Sequence, residues 1–197
     1  MSGHGSASIR ARTALAVAAL VGTLPQNRAR VGSHELRAFR LVNDLPDFLF
    51  RPAWAVMQLG ALAAAPAAAS VAYATGRQRL AIRLLRGGSI TWLLAKGVKR
   101  VVRRGRPSAM LTEVHCRGAK AGGLGYLSGH AAVATALAAA AAPDVAGSAR
   151  SLAIAAVPLV GLSRVYVGAH LPLDIVGGAA LGLCVDGILR IRDGASR

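Results

Sequence analysis

Apolar runs broken by short basic stretches set the rhythm of this chain. Thr13 to Pro25 forms the first run, and Ala53 to Thr75 the longest uninterrupted one. Leu80 to Val102, Gly129 to Ala142, Leu152 to Leu162 and Leu173 to Leu189 follow. None alternates with the two-residue period of a strand, so the pattern predicts six helices and no sheet. Ala53 to Thr75 exceeds the ~20 residues that cross a bilayer, and Pro66 within it predicts a kink. Between the first two runs, "SHELRAFRLVNDLPDFLF" carries Leu36, Phe39, Leu41 and Val42, which suggest an interfacial helix. In Leu80 to Val102, basic residues gather near both ends (Arg83 and Arg86; Lys96 and Lys99), from where long side chains can snorkel. Gly105 and Pro107 then suit a helix end.

Composition turns this pattern toward lipid. Hydrophobic residues make up 54% of the 197, and mean hydropathy is +0.46. Twenty-four Lys and Arg face eight Asp and Glu, a net charge of +16. Such an excess needs anionic company. Nucleic acid is disfavoured, because aromatics are only 4% and stacking platforms need them; anionic lipid fits both charge and hydropathy. The expected architecture is all-α: one membrane-embedded domain over 1–197, a polytopic bundle of about six transmembrane helices, with 1–52 as a short first span plus an interfacial segment. Cys116 and Cys184 form neither a disulfide framework nor a metal pattern.

Three polar islands carry candidate chemistry. In "KRVVRRGRP", Lys99 and Arg106 are seven residues apart and share a face if the helix extends that far. In "LSGH", Ser128 is placed to cap the helix that follows. That helix presents free N–H groups to an anion, Gly129 gives close access to the backbone, and His130 lies in the first turn. In "SRVYVGAHLPLD", His170 and Asp174 bracket a helix start. A hydrogen bond from one His170 ring nitrogen to Asp174 would leave the other free to attack. Arg164 adds a fork of donors suited to phosphate oxygens. If the six spans alternate in direction, all three islands reach one membrane face. Clamp, nucleophile, orienting carboxylate and proton donor are the parts needed for phosphoryl transfer without a metal.

In these motifs the chain resembles the type 2 phosphatidic acid phosphatase superfamily. The family pattern is Lys, six residues, Arg-Pro; then Pro-Ser-Gly-His; then Ser-Arg, five residues, His, three residues, Asp. Lys99 to Pro107 and Ser163 to Asp174 match fully, while Leu127 stands where the family has Pro. The resemblance implies His170 as a nucleophile forming a phosphohistidine, Asp174 as its activator and His130 as proton donor to the leaving group. It implies Lys99, Arg106, Ser128, the Gly129 amide and Arg164 as phosphoryl ligands, with no metal and no cofactor. The family also holds soluble vanadium haloperoxidases, which are larger and not built of spans. Substrates of its membrane members include phosphatidic acid, phosphatidylglycerol phosphate and polyprenyl phosphates or pyrophosphates.

The expected function is therefore a membrane lipid-phosphate phosphatase, with anionic membrane lipids around it and no nucleic-acid partner. Two other readings stand beside it: a non-catalytic protein that binds anionic lipid, and a phosphotransferase with an acceptor other than water. Bacterial members suggest a cell-membrane location with the site facing away from the cytoplasm. The Lys and Arg count leaves the two faces about even once phosphate ligands are set aside. In the loop before the second island, Glu113, His115, Arg117 and Lys120 are candidates for headgroup contact.

Overall fold

The computed structural model describes residues 3–25, 30–119 and 122–195. Among these, all regular structure is helical. In order come α1 (Gly3–Gly22), α2 (Ser33–Asn43), α3 (Phe50–Met57), α4 (Ala64–Ala74), α5 (Gln78–Val102), α6 (Pro107–Met110), α7 (Gly129–Ala141), α8 (Gly147–Tyr166) and α9 (Pro172–Ala195). The first helix begins well before Thr13 and takes in Arg10 and Arg12.

The Ala- and Gly-rich α7 is the hub, packed by α5, α8 and α9. Its contact with α9 is made by small residues. Gly178 and Gly182 lie one turn apart on α9, and a Cβ at either would run into the α7 backbone: the Ser128 carbonyl in one case, the Ala132 carbonyl in the other. With few large side chains between them, the two backbones meet closely, as in small-xxx-small helix pairs in lipid. On the other side of α7, Val133, Leu137 and Ala140 pack with Ala65 and Ala69 of α4 and Leu80 and Leu84 of α5. α1 lies against α9.

The run from Ala53 to Thr75 is broken. The helical stretch Asp47–Gly60 meets α4 at 69°. The kink expected at Pro66 is instead placed ahead of it, across residues 61–63. Pro66 sits in the first turn of α4, where the missing N–H has no intrahelical partner to lose. Gly60 marks the break for a steric reason: a Cβ there would overlap the His130 carbonyl oxygen and stand 2.9 Å from Val160 Cγ1.

Among the described residues, two helices, α8 and α9, are long and apolar enough to cross a membrane, and the bent pair would make a third, against the six spans expected. At 13 residues α7 is only about 20 Å long. Outward-facing Val71, Leu93, Val101, Leu152 and Ile154 give the bundle an apolar exterior.

The chain's few acids are largely spent inside it. At the end where α7 and α9 finish, Arg83 pairs with Asp144, Arg86 with Asp193, and Arg12 and Arg190 with Asp186. The expected snorkelling of Arg83 and Arg86 is thus replaced by ion pairing within the bundle. Glu35, Asp44, Asp47 and Asp174 are each within ion-pair distance of a basic side chain. Of the eight acids only Glu113, which is exposed, has no such pairing among the described residues.

The α7–α9 contact generates a stability prediction. Gly182→Leu places a side chain on the Ala132 carbonyl and 2.9 Å from the Ala136 nitrogen; the overpacking should cost about 3 kcal/mol. Gly97→Ala in α5, which meets nothing within 4 Å, should leave stability unchanged or raise it by ~0.5–1 kcal/mol. Thermal unfolding in detergent, following helix content, compares the two.

Candidate active site

The three polar islands converge at one end of the bundle, where α5 ends, α7 begins and α8 hands over to α9. Each is shaped by a local backbone device. α5 stops at Val102, because Arg103 takes a left-handed conformation with φ 54°. Gly105 is therefore not the helix end, and Arg106 reaches the site from a turn instead of sharing a helical face with Lys99. Pro107 opens the short α6, where its fixed φ suits a first position.

Ser128 caps α7 as expected: its Oγ accepts the Ala131 N–H at 3.3 Å. Its own N–H donates to the Asp174 carbonyl at 2.8 Å, so the second and third islands are bonded through their backbones. At the start of α9, Asp174 is the third helical residue and reaches back to the capping residue. Its Oδ2 accepts the Leu171 N–H at 2.9 Å, half of a capping box.

His170 lies in the turn between α8 and α9 and is 2% exposed. Its Nδ1 stands 3.5 Å from Asp174 Oδ2. That is an ion-pair distance, and Nδ1 has no hydrogen-bond partner. The expected closed His170–Asp174 hydrogen bond is thus open by a few tenths of an ångström, with Oδ2 already engaged by Leu171. Lys99, Arg164, Arg106 and His130 all act electrostatically on His170. Burial first, and then these neighbours, push its imidazole well below the ordinary histidine range.

Two of the three cations are held by backbone carbonyls. Lys99 Nζ donates to the Leu124 and Gly125 carbonyls at 3.2 and 2.9 Å. Arg106 donates from Nε to the Gly122 carbonyl and from Nη1 to the Ala169 carbonyl, at 2.7 and 2.8 Å. Arg164 lies with Nη1 3.1 Å from Met57 Sδ. A Cβ built on Gly129 meets no atom within 4 Å, so the mouth of α7 is open. Beside Arg164 a cavity of about 240 Å³ is lined by Phe50, Trp54 and Met57 of α3, together with Arg117 and Ala169.

Two residues at the centre were not anticipated. Arg104, 1% exposed, donates Nη1 to Asp174 Oδ1 at 3.0 Å and grips Glu35 with both Nη1 and Nη2, at 3.1 and 2.5 Å. Glu35 Oε1 also accepts the Leu173 N–H at 3.1 Å. In the sequence Arg104 is one of several adjacent basic residues, and its partners lie 69 and 70 positions away. The one available hint was an acid, Glu35, on the apolar side of α2 next to Phe39 in a chain with eight acids.

Of the loop candidates, Arg117 is committed to the fold. Its guanidinium donates to Asp47 and to the Asn43, Leu45 and Tyr166 carbonyls, and it covers the Tyr166 ring at 4.2 Å. Glu113 and His115 are exposed, and Lys120 lies outside the described residues. Among the described residues, no group of three or more His, Cys, Asp or Glu is arranged to hold a metal ion.

An all-helical bundle that gathers two histidines, an open helix start and a cluster of cations at one end sets the class in which the chain is to be sought. The match is specific: residues 80–193 fit the model of the PAP2 superfamily, and the chain belongs to that superfamily. Its fold is similar to that of LpxE from Aquifex aeolicus, with a TM-score of 0.72 and 22% identity over 80% of this chain and 94% of that one. It is also similar to a transmembrane PAP2-type phosphatidylglycerolphosphate phosphatase from Bacillus subtilis. There the TM-score is 0.65 and the identity 19%, over 98% of this chain and 97% of that one. No curated protein sequence matches the chain significantly.

Leu127, the departure from the family pattern, is fully buried among Ala95, Val102, Tyr126, Leu181 and Val185. Its side chain packs the floor of the site and offers nothing to a phosphate. Leu127→Ala should therefore lower stability by roughly 2–5 kcal/mol through the cavity it leaves. A thermal midpoint in detergent equal to wild type would show that the floor repacks around the loss.

Proposed function

We propose that this protein is an integral membrane phosphatase that hydrolyses a lipid phosphate through a phosphohistidine. The observation that carries the reading is the environment of His170. One ring nitrogen faces a carboxylate, and three cations and a second histidine surround the imidazole. With Nδ1 toward Asp174, Nε2 is the nitrogen free to attack.

In the first step Nε2 bonds to phosphorus while the bond to the leaving oxygen breaks. That oxygen keeps the electron pair and takes a proton from His130. Burial, and then Arg164, Lys99 and Arg106, lower the His130 pKa to about 4, and the imidazole gains its proton as the bound anionic phosphate offsets those cations. The phosphoryl group remains on His170, whose Nδ1 proton lies toward Asp174. Water then attacks phosphorus and gives a proton to His130, the phosphorus–nitrogen bond breaks, and inorganic phosphate leaves. Both histidines return to their starting states. Lys99, Arg106, Arg164 and the α7 N-terminus meet the equatorial oxygens, whose charge they offset throughout. The lipid portion would lie toward the apolar side chains of α3 that line the adjoining cavity. The substrate class that fits is a phosphomonoester or pyrophosphate on a glycerolipid or polyprenyl carrier. The exposed apolar sides of α8 and α9 support a place in the cell membrane, where we read the site as facing away from the cytoplasm.

Purified protein should release phosphate from such lipids in the presence of chelator, and vanadate should inhibit it. His170→Ala should lower kcat by roughly 10³-fold or more, as loss of a nucleophile does; full activity in that variant ends the mechanism. Gly129→Ala meets no protein atom, so its stability should hold while KM for the phosphate substrate rises.

The pH profile follows from His170. Its imidazole must be unprotonated to attack, so activity falls as pH drops through its pKa. Because burial and the surrounding cations lower that pKa, the acid limb of kcat/KM should lie below about 6.5, the ordinary histidine value. A limb above that value would contradict the assignment. Sidedness has its own check. Cys116 is exposed and lines the cavity at the site end. A membrane-impermeant maleimide should label it in intact cells if the site faces outward, and only after lysis if it faces inward.

A further inference from the structure

Asp174 does not face His170 alone. Its Oδ1 is held by Arg104 at 3.0 Å and its Oδ2 by the Leu171 N–H at 2.9 Å. An aspartate neutralised by a buried arginine would present almost no charge to a histidine 3.5 Å away. Glu35 alters that balance. Gripping the far side of Arg104, it makes the buried group two carboxylates and one guanidinium, with one net negative charge. Through Oε1 it also holds the Leu173 N–H, and so fixes the first turn of α9 on which Asp174 stands.

We propose that Glu35 and Arg104 are a positioning pair that sets both the orientation of Asp174 and the charge it presents to His170. The inference rests on the phosphatase reading for its kinetic consequence. Neither residue touches the reacting atoms; both act through Asp174. The groups facing His170 are Lys99 from α5, Arg106 from the turn after it, His130 from α7, Arg164 from α8 and Asp174 from α9. Tyr126, hydrogen-bonded to Thr23 of the turn after α1, is a further titratable group near Asp174 and Arg104, which both act on it. Against four basic groups, the carboxylate side is the only nearby source of negative charge among these neighbours. Glu35 decides whether that source is one charge or none.

Glu35→Gln keeps the shape and leaves an amide oxygen for Arg104 and Leu173, but removes the charge. The His170 imidazolium loses support, so the acid limb of kcat/KM should move down by about half a pH unit or more. Arg104→Lys keeps the charge but loses the fork, so kcat should fall roughly 10- to 100-fold with the limb unmoved. Arg104→Gln, tested together with Glu35→Gln, leaves Asp174 alone with the single negative charge of the wild-type group and should bring the limb back toward wild type. An NMR titration of the His170 imidazole, assigned by its loss in His170→Gln, gives a second readout that needs no turnover.

An unmoved limb and an unmoved His170 titration in folded Glu35→Gln would overturn the proposal. If Glu35→Gln does not fold, Glu35→Asp and Arg104→Lys decide: both should lower kcat with the limb in place, and a moved limb in both overturns it. The two readings separate cleanly. A wild type that releases no phosphate, yet whose His170 titration responds to Glu35→Gln, sinks the phosphatase reading and leaves the pair standing.

Discussion

An arginine withdrawn from water must be matched by nearby anions or it costs the fold several kcal/mol. Arg104 meets this constraint with carboxylates from two distant segments, Glu35 of α2 and Asp174 of α9. The match does more than remove a penalty. It ties the first third of the chain to the last, and it does so at the floor of the site. The backbone repeats the theme: the Gly125 N–H bonds the Arg104 carbonyl, and the Ser128 N–H bonds the Asp174 carbonyl. The turn after α5, the entry to α7 and the start of α9 are thus held together by one buried charge group and two backbone bonds.

Most of the site was legible because its spacings are local. A cap residue followed by a helix, or a histidine four residues from an aspartate across a helix start, is a short-range arrangement that one sequence displays. Ser128 caps α7 as its spacing implies, while Asp174 lies 3.5 Å from His170 with the expected hydrogen bond open. What was not legible depends on pairing across the fold. Arg103, Arg104 and Arg106 look alike in sequence, yet one ends a helix in a left-handed turn, one is buried in a charge group and one reaches the site. The helix end is equally hidden: Gly105 is the natural left-handed residue in the sequence, yet Arg103 takes that conformation.

Membrane character was legible in bulk and less so in detail. The apolar runs were found, but a run is not a span. The stretch from Ala53 to Thr75 turns by 69° at a glycine that abuts the neighbouring helix, although a proline stood ready as the obvious cause. Charges that sequence alone would send to the lipid headgroups are instead matched to aspartates inside the bundle. The remaining excess of positive charge then belongs to the outer surface and the site.

The glycine seam between α7 and α9 has a mechanical consequence. Helices in backbone contact leave no layer of side chains between them to yield, so their separation is fixed by the main chains themselves. Ser128 stands at the head of one and Asp174 at the head of the other. The two halves of the site are therefore gauged against each other by bare backbone, like teeth on a rack. The spacing of Ser128 and Asp174 is thus set by the packing of the bundle and not by the loops around the site.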